Sequence, residues 1–186
     1  VLEQCPIIYE GVPEVMSAFG YSENNVFFNK DFIETLESIE DSTVDLVVSD
    51  CAINLSPRKD NVFSSIHRVL KPGGEFYISD IVADRRLPES IRNDKKLHAE
   101  CLGGALYEYD LLDTITAAGF RDPRSVARSL VEENIGGTPN RFYSMTLRGF
   151  KFETPLDRRC EDFCQNATYL GNCPGSEESF FLDQNH

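Results

Sequence analysis

An apolar run, an amphipathic stretch, a proline and glycine stop and a second apolar run follow one another between Asp45 and Asp80, and that order leaves few folds open. Residues 45–50 set Leu46, Val47 and Val48 between an acidic start and a small polar finish, the pattern of a buried strand. Over residues 61–70, Val62, Phe63, Ile66, Val69 and Leu70 recur at helical spacing, so the strand feeds an amphipathic helix. Lys71-Pro72-Gly73-Gly74 stops that helix: a cation suits the last turn, proline cannot continue it, and glycine permits a tight reversal. Residues 75–80 then read as the next strand. Strand, helix, turn and strand make a βαβ unit with its two strands parallel in one sheet, which places the chain in the α/β class.

Around this unit the signals are shorter. Residues 25–28 predict an earlier strand and residues 32–39 a short helix. Residues 108–118 carry Leu111, Leu112, Ile115 and Ala118 at helical spacing and stop at Gly119, a C-cap residue. Residues 124–131 and 141–152 alternate as two final strands, an antiparallel pair. The polar connection over 83–107 is long for a compact domain, and connections of that length are usually functional. From Glu153 onward the chain is rich in Cys, Gly, Asn and Pro without a period, and reads as an irregular appendage. A length of 186 residues therefore divides into a domain over 1–152, with an insertion at about 83–107, and a segment over 153–186.

The 31 acidic and 18 basic residues leave a net charge of -13, which repels phosphate backbones and anionic membrane surfaces. Nucleic acid and membrane partners are excluded on that ground, and no apolar run is long enough to span a bilayer. The chain opens on Val1-Leu2-Glu3-Gln4 without the basic and apolar parts of a secretory leader, so the expected location is the cytoplasm. Six cysteines in a chain patterned with strands and helices throughout read as reduced thiols rather than a secreted disulfide framework. The glycosylation triplet Asn166-Ala167-Thr168 is discounted for the same reason.

Open α/β sheets bind ligands beyond the carboxyl ends of their strands, here around Asp31, Ser49-Asp50-Cys51 and Asp80-Ile81. Two cysteines stand in unusual contexts: Cys101 in Glu100-Cys101-Leu102-Gly103-Gly104-Ala105-Leu106-Tyr107, and Cys160 in Asp157-Arg158-Arg159-Cys160-Glu161-Asp162. A thiolate is a strong nucleophile and a soft ligand, so thiols converging near a reactive centre can catalyse or bind a thiophilic substrate. Taken alone, Cys101 also reads as a small packing residue and Cys160 as a buried free thiol. Cys51 follows a strand at the expected cofactor edge, while its apolar neighbours make core packing at least an equal reading. Cys160, Cys164 and Cys173 could together hold zinc, but they lack a Cys-x-x-Cys knuckle and a nearby fourth partner. His67 falls on the polar side of its helix and is expected in solvent. His98, three residues before Cys101, either lowers a thiol pKa or lies on the surface.

The order of strand, helix and Leu70-Lys71-Pro72-Gly73-Gly74 resembles the middle of a class I S-adenosylmethionine-dependent methyltransferase. Five segments sharpen this: Ser49-Asp50-Cys51-Ala52-Ile53-Asn54-Leu55-Ser56-Pro57; Ala83-Asp84-Arg85-Arg86-Leu87-Pro88; Glu100 to Tyr107; Arg141-Phe142-Tyr143-Ser144; and Arg159-Cys160-Glu161-Asp162 with Gln165 and Ala167-Thr168-Tyr169. Together, from about Asn25 onward, they resemble arsenite methyltransferase.

The resemblance implies a Rossmann-like sheet and methyl transfer from S-adenosylmethionine to arsenite or its thiol conjugate, with a thiol as reductant. It makes Cys101 and Cys160 the arsenic ligands. It lets Asp31 accept from the adenine amino group, Phe32 pack on the ring, and Ser49 line the same pocket. Other readings are a thiol-based metalloid-binding module without methyl transfer, or a methyltransferase for another small molecule.

The chain departs from the family in two ways. Asp50 stands where asparagine is typical. No Gly-x-Gly loop precedes Val26, where Gly11 and Gly20 stand alone, and Cys5 does not match the context of the family's further arsenic-binding cysteine. An N-terminally truncated sheet is therefore expected, lacking two strands between the third and fourth and prone to self-association through unpaired strands.

Overall fold

The βαβ unit forms where the pattern put it. In the computed structural model, which describes residues 31–137 and 139–152 together with Leu170, strand β1 is Val44–Asp50, helix α1 Lys59–Val69 and strand β2 Leu70–Ala83. β1 and β2 run parallel. The chain divides into two units, Val1–Thr154 and Pro155–His186, and all of the described helices and strands belong to the first. The strand expected at 25–28, Cys160, and the tail apart from Leu170 lie outside the described residues.

The Lys71-Pro72-Gly73-Gly74 turn is corrected. These residues sit inside β2, and they make a bulge: Val44 pairs with Leu70, yet Leu46 pairs with Glu75. Gly73 takes φ +79°, and its N–H donates to Lys151 O at 2.6 Å. At Gly74 a Cβ would come within 3.0 Å of Asp45 O, so a side chain there would push β1 away.

After β2 come short helices α2 (Glu89–Arg92) and α3 (Lys95–Ala99), strand β3 (Leu106–Tyr107), helix α4 (Glu108–Ala117) and strands β4 (Arg124–Glu133) and β5 (Arg141–Phe150). The expected antiparallel pair is β4 with β5. β5 also runs antiparallel along β2, and β3 pairs with the end of β2 through Val82 and Ala83. The described sheet order is β1-β2-β5-β4. α3 begins under an Asp94 cap whose Oδ1 accepts from Lys96 N at 2.8 Å and Leu97 N at 3.0 Å.

One face of the sheet is covered by α1 and α4. Val62, Phe63 and Ile66 meet Leu111 and Ile115 over Phe76, Ile78, Met145 and Leu147. Phe76 packs edge-on to Phe120 at 4.7 Å, and burying one such ring contributes about 1.5–3 kcal/mol. His67 is not in solvent as expected. It meets Phe120 at 5.1 Å, and burial, with Lys151 second, holds its pKa below the ordinary value.

Two further expectations change. β1 is half-buried rather than buried: Val44 and Val47 pack on the core while Val48 is 67% exposed, because helices cover only one face and β2 is its sole partner among the described residues. The segment 32–39 forms turns, not a helix. Arg68 of α1 takes its carbonyls, donating to Thr35 O (3.0 Å), Leu36 O (2.8 Å) and Ile39 O (3.0 Å) and pairing with Asp41. Leu36 sits at φ +46°, which a helix of L-residues does not allow. Arg68→Met should therefore lower stability by about 1–3 kcal/mol, seen as a lower urea midpoint; an unchanged midpoint would mean the turns are held by something else.

Candidate functional site

Leaving β1, the backbone turns through Cys51 at φ +51° into a 3-10 turn, Ile53–Leu55. Asn54 in that turn is 3% exposed and makes contact in every direction. Its N–H donates to Asp80 Oδ2 at 2.9 Å. Its side-chain amide donates to Ile81 O at 2.6 Å and to Cys101 O at 3.1 Å. Its carbonyl accepts from Lys59 Nζ at 3.4 Å, and the same ammonium donates to Ser56 O at 3.0 Å. Gly104 closes on the same carbonyl: a Cβ there would lie 1.9 Å from Asn54 O. The loop that follows α3 is thereby bolted to the carboxyl end of the sheet.

That bolt sets the position of Cys101. The residue is 9% exposed and sits at φ +63°. Its N–H donates to His98 O at 3.0 Å, and its thiol donates to Cys51 O at 3.2 Å. Cys51 is an exposed residue just past the end of β1, so of its two readings the core one is corrected. Both cysteines are free thiols.

The electrostatics keep these sulfurs protonated at neutral pH. Burial, followed by the Asp50 and Asp80 carboxylates, pushes the Cys51 thiol up to about 11. Although the Cys51 residue is open to solvent as a whole, burial leads the causes there. Burial and then Asp80 also raise the Cys101 thiol, with Lys59 opposing. Asp80 is itself pushed up by burial, and Lys59 is pushed down by burial, each partly offset by the other. The groups acting on Cys101 are thus Asp80, Lys59 and Asp50, and His98 lies half-buried in α3.

On the donor side, Asp31 caps its own turn. Oδ1 accepts from Phe32 N and Oδ2 from Ser38 N, both at 2.7 Å, and the backbone bond from Ser38 leads the causes that hold its carboxyl below the usual range. Phe32 beside it is 67% exposed. Ser49 Oγ is buried and has no hydrogen-bond partner among the described residues. An orphaned hydroxyl at the carboxyl end of β1 suits a polar ligand there.

The Methyltransferase domain model matches residues 15–148. The chain belongs to the methyltransferase domain family. Within that family it is 45% identical over 177 residues to an arsenite methyltransferase of Aquipseudomonas alcaligenes, a match covering 90% of this chain and 50% of that protein. It is 39% identical to the human arsenite methyltransferase, covering 91% of this chain and 46% of the human one. Among solved structures it is similar to an arsenic(III) S-adenosylmethionine methyltransferase from Chlamydomonas reinhardtii, with 41% identity, a TM-score of 0.72, and coverage of 92% and 59% of the two chains. The chain spans about half the length of the curated relatives it matches.

Of the residues singled out beforehand, the structure brings Cys101 to the end of β1, beside Cys51, and leaves Ser49 orphaned in the same strand. The roles of Asn54, Lys59 and Gly104 were missed, and Asp80 was placed at its strand end without its bond to Asn54. Ile53-Asn54-Leu55 and Leu102-Gly103-Gly104 were visible as segments, but nothing local in either says that they meet. Among the described residues, no group of three or more His, Cys, Asp or Glu is arranged to hold a metal ion, and no helix is long and apolar enough to cross a membrane.

Proposed function

We propose that this methyltransferase domain transfers a methyl group from S-adenosylmethionine to trivalent arsenic held by the thiolates of Cys101 and Cys160. The observation that carries this reading is the thiol of Cys101, fixed through Asn54 at the ligand-binding edge of a methyltransferase sheet. The similarity to arsenite methyltransferases supports it.

Arsenic(III) is soft, so sulfur displaces oxygen ligands and each new bond releases a thiol proton. A pyramidal thiolate site leaves the arsenic lone pair free, and the protein's contribution is to hold that atom still and aimed. S-adenosylmethionine, when bound, supplies a methyl group on an electrophilic sulfonium. Asp31 and Phe32 are assigned to its adenine and Ser49 to the wall of its pocket. The carboxylates of Asp50 and Asp80 suit a cation in this region. Methyl transfer raises arsenic to the pentavalent state, so a thiol reductant outside the protein returns it to arsenic(III). The substrate is arsenite or its thiol conjugate, and the reduced thiols fit a cytoplasmic setting. The insertion at 83–107 belongs to the substrate side of a domain over 1–152, followed by a separate segment over 153–186.

One observation favours a second reading. Val48 on β1, 67% exposed among the described residues, fits a unit that self-associates through an apolar patch of its sheet and holds the metalloid without transferring a methyl group. Labelled donor separates the two, since only the first reading yields a methylated arsenical. For the shared part, Cys101→Ser should weaken arsenite binding by about 100-fold through loss of a chelating arm, measured by titration calorimetry. Binding at the wild-type level would remove Cys101 from the site.

A further inference from the structure

Most of the described aspartates have a partner. Asp41, Asp45, Asp60, Asp84, Asp110 and Asp122 each pair with an arginine or lysine side chain, and Asp31, Asp80 and Asp94 accept backbone N–H groups. Among the described residues, Asp50 and Asp113 have neither. Asp113 is exposed along α4, whereas Asp50 is the last residue of β1, at the carboxyl edge where open α/β sheets bind ligands. Across the sheet it is level with Ser79 and Thr146, which offer hydroxyls and no cation. The ammonium of Lys59 goes to Asn54 O and Ser56 O instead. Asp50 also stands close to the proposed arsenic ligand, because the residue after it is Cys51, whose carbonyl accepts from the Cys101 thiol at 3.2 Å. The carboxylate is thus one residue along the chain from the atom that this sulfur touches, and it acts electrostatically on both thiols. Ser49, the residue before it, holds the buried hydroxyl that lacks a partner.

A donor that serves arsenic at Cys101 must bring its sulfonium to this corner of the sheet. When a methyl group moves, the electron pair of the broken S–C bond stays on sulfur, so a cationic sulfonium becomes a neutral thioether. Only that charge and one methyl group separate fresh donor from spent product, and an unpaired carboxylate at the reacting edge discriminates between them. We infer that Asp50 is the residue that selects the methyl donor: it favours the sulfonium of S-adenosylmethionine over the thioether of S-adenosylhomocysteine, so that spent product gives way to fresh donor. This rests on the proposed methyl transfer and adds a basis for its turnover.

The test is titration calorimetry on the full chain with S-adenosylmethionine, S-adenosylhomocysteine, and sinefungin, in which a carbon bearing an ammonium group replaces the methylsulfonium. Asp50→Asn keeps the shape and removes the charge. It should weaken binding of the two cations by about 5-fold, the scale of an exposed ion pair, and leave the neutral thioether unchanged. The loss should shrink at high salt. Asp113→Asn, which removes the other unpaired carboxylate, should alter none of the affinities; an effect equal to that of Asp50→Asn would reduce the discrimination to net charge and overturn the proposal. Asp50→Asn that shifts all the ligands equally, or none, overturns the selector while methyl transfer stands. Should that variant fail to fold, raising the salt on the wild-type chain should weaken the two cations and spare the thioether, and a parallel response of all the ligands overturns the selector. A wild-type chain that binds none of them sinks the methyl-transfer reading as well.

Discussion

Gly104→Ala should cost the domain several degrees of thermal midpoint and loosen Cys101 at the same time. The added methyl group would sit 1.9 Å from Asn54 O, a backbone atom that Lys59, Asp80 and the amide of Asn54 itself hold in place. No side-chain rotation relieves that overlap, so either the loop or the 3-10 turn must move. Overpacking of this kind costs about 1–3 kcal/mol, or about 2–12 °C for a domain of this size. If the loop is what moves, the Cys101 thiol loses its contact with Cys51 O and opens to solvent, and its alkylation by iodoacetamide should speed up. A variant with the wild-type midpoint and wild-type alkylation rate would show that the two backbones do not approach in this way.

The second large effect is expected at Asn54. Its amide is the donor to two buried carbonyls, and removing it strands both, at about 1–3 kcal/mol for each unsatisfied group. Asn54→Ala should thus lower the unfolding free energy by about 2 kcal/mol or more in urea titration. The informative partner is Asn54→Asp, which keeps the shape and removes the donors. A carboxylate would face the oxygens of Ile81 and Cys101 with no proton to offer and would add a charge next to Asp80, so it should be at least as damaging as alanine. A near-neutral Asn54→Asp would mean that shape alone holds this corner together, and the Cys101 loop would need another anchor.

Much of the fold is legible from local chemistry. The βαβ unit, the helix ended by Gly119 and the terminal antiparallel pair are each written in a period of 3.6 or 2 with a stop signal, and each appears within a few residues of where it was expected. The errors have one cause, which is a partner distant in sequence. Residues 32–39 have a helical look, but Arg68, about thirty residues on, occupies their carbonyls. Lys71-Pro72-Gly73-Gly74 has every mark of a turn, yet β1 pairs on either side of it and Lys151 bonds into it, so it becomes a bulge. The site divides in the same way. Cys101 was legible from its neighbours, whereas at Cys51 core and strand end stayed open, because apolar neighbours in sequence say nothing of which way a left-handed residue turns. Asn54 was visible only as one member of a segment, since its meaning lies in three contacts with β2 and the Cys101 loop.

The positive φ angles of Cys51 and Cys101 bear on how this corner can change over time. A left-handed backbone costs an L-residue about 1–2 kcal/mol, a cost that glycine escapes. At exposed Cys51 glycine would relieve that cost, whereas at buried Cys101 it would also empty the space that the thiol fills in its apolar cluster. Cysteine at two positions that favour glycine therefore puts a thiol on each at the expense of backbone stability, and it is the packing around this corner that offsets the difference.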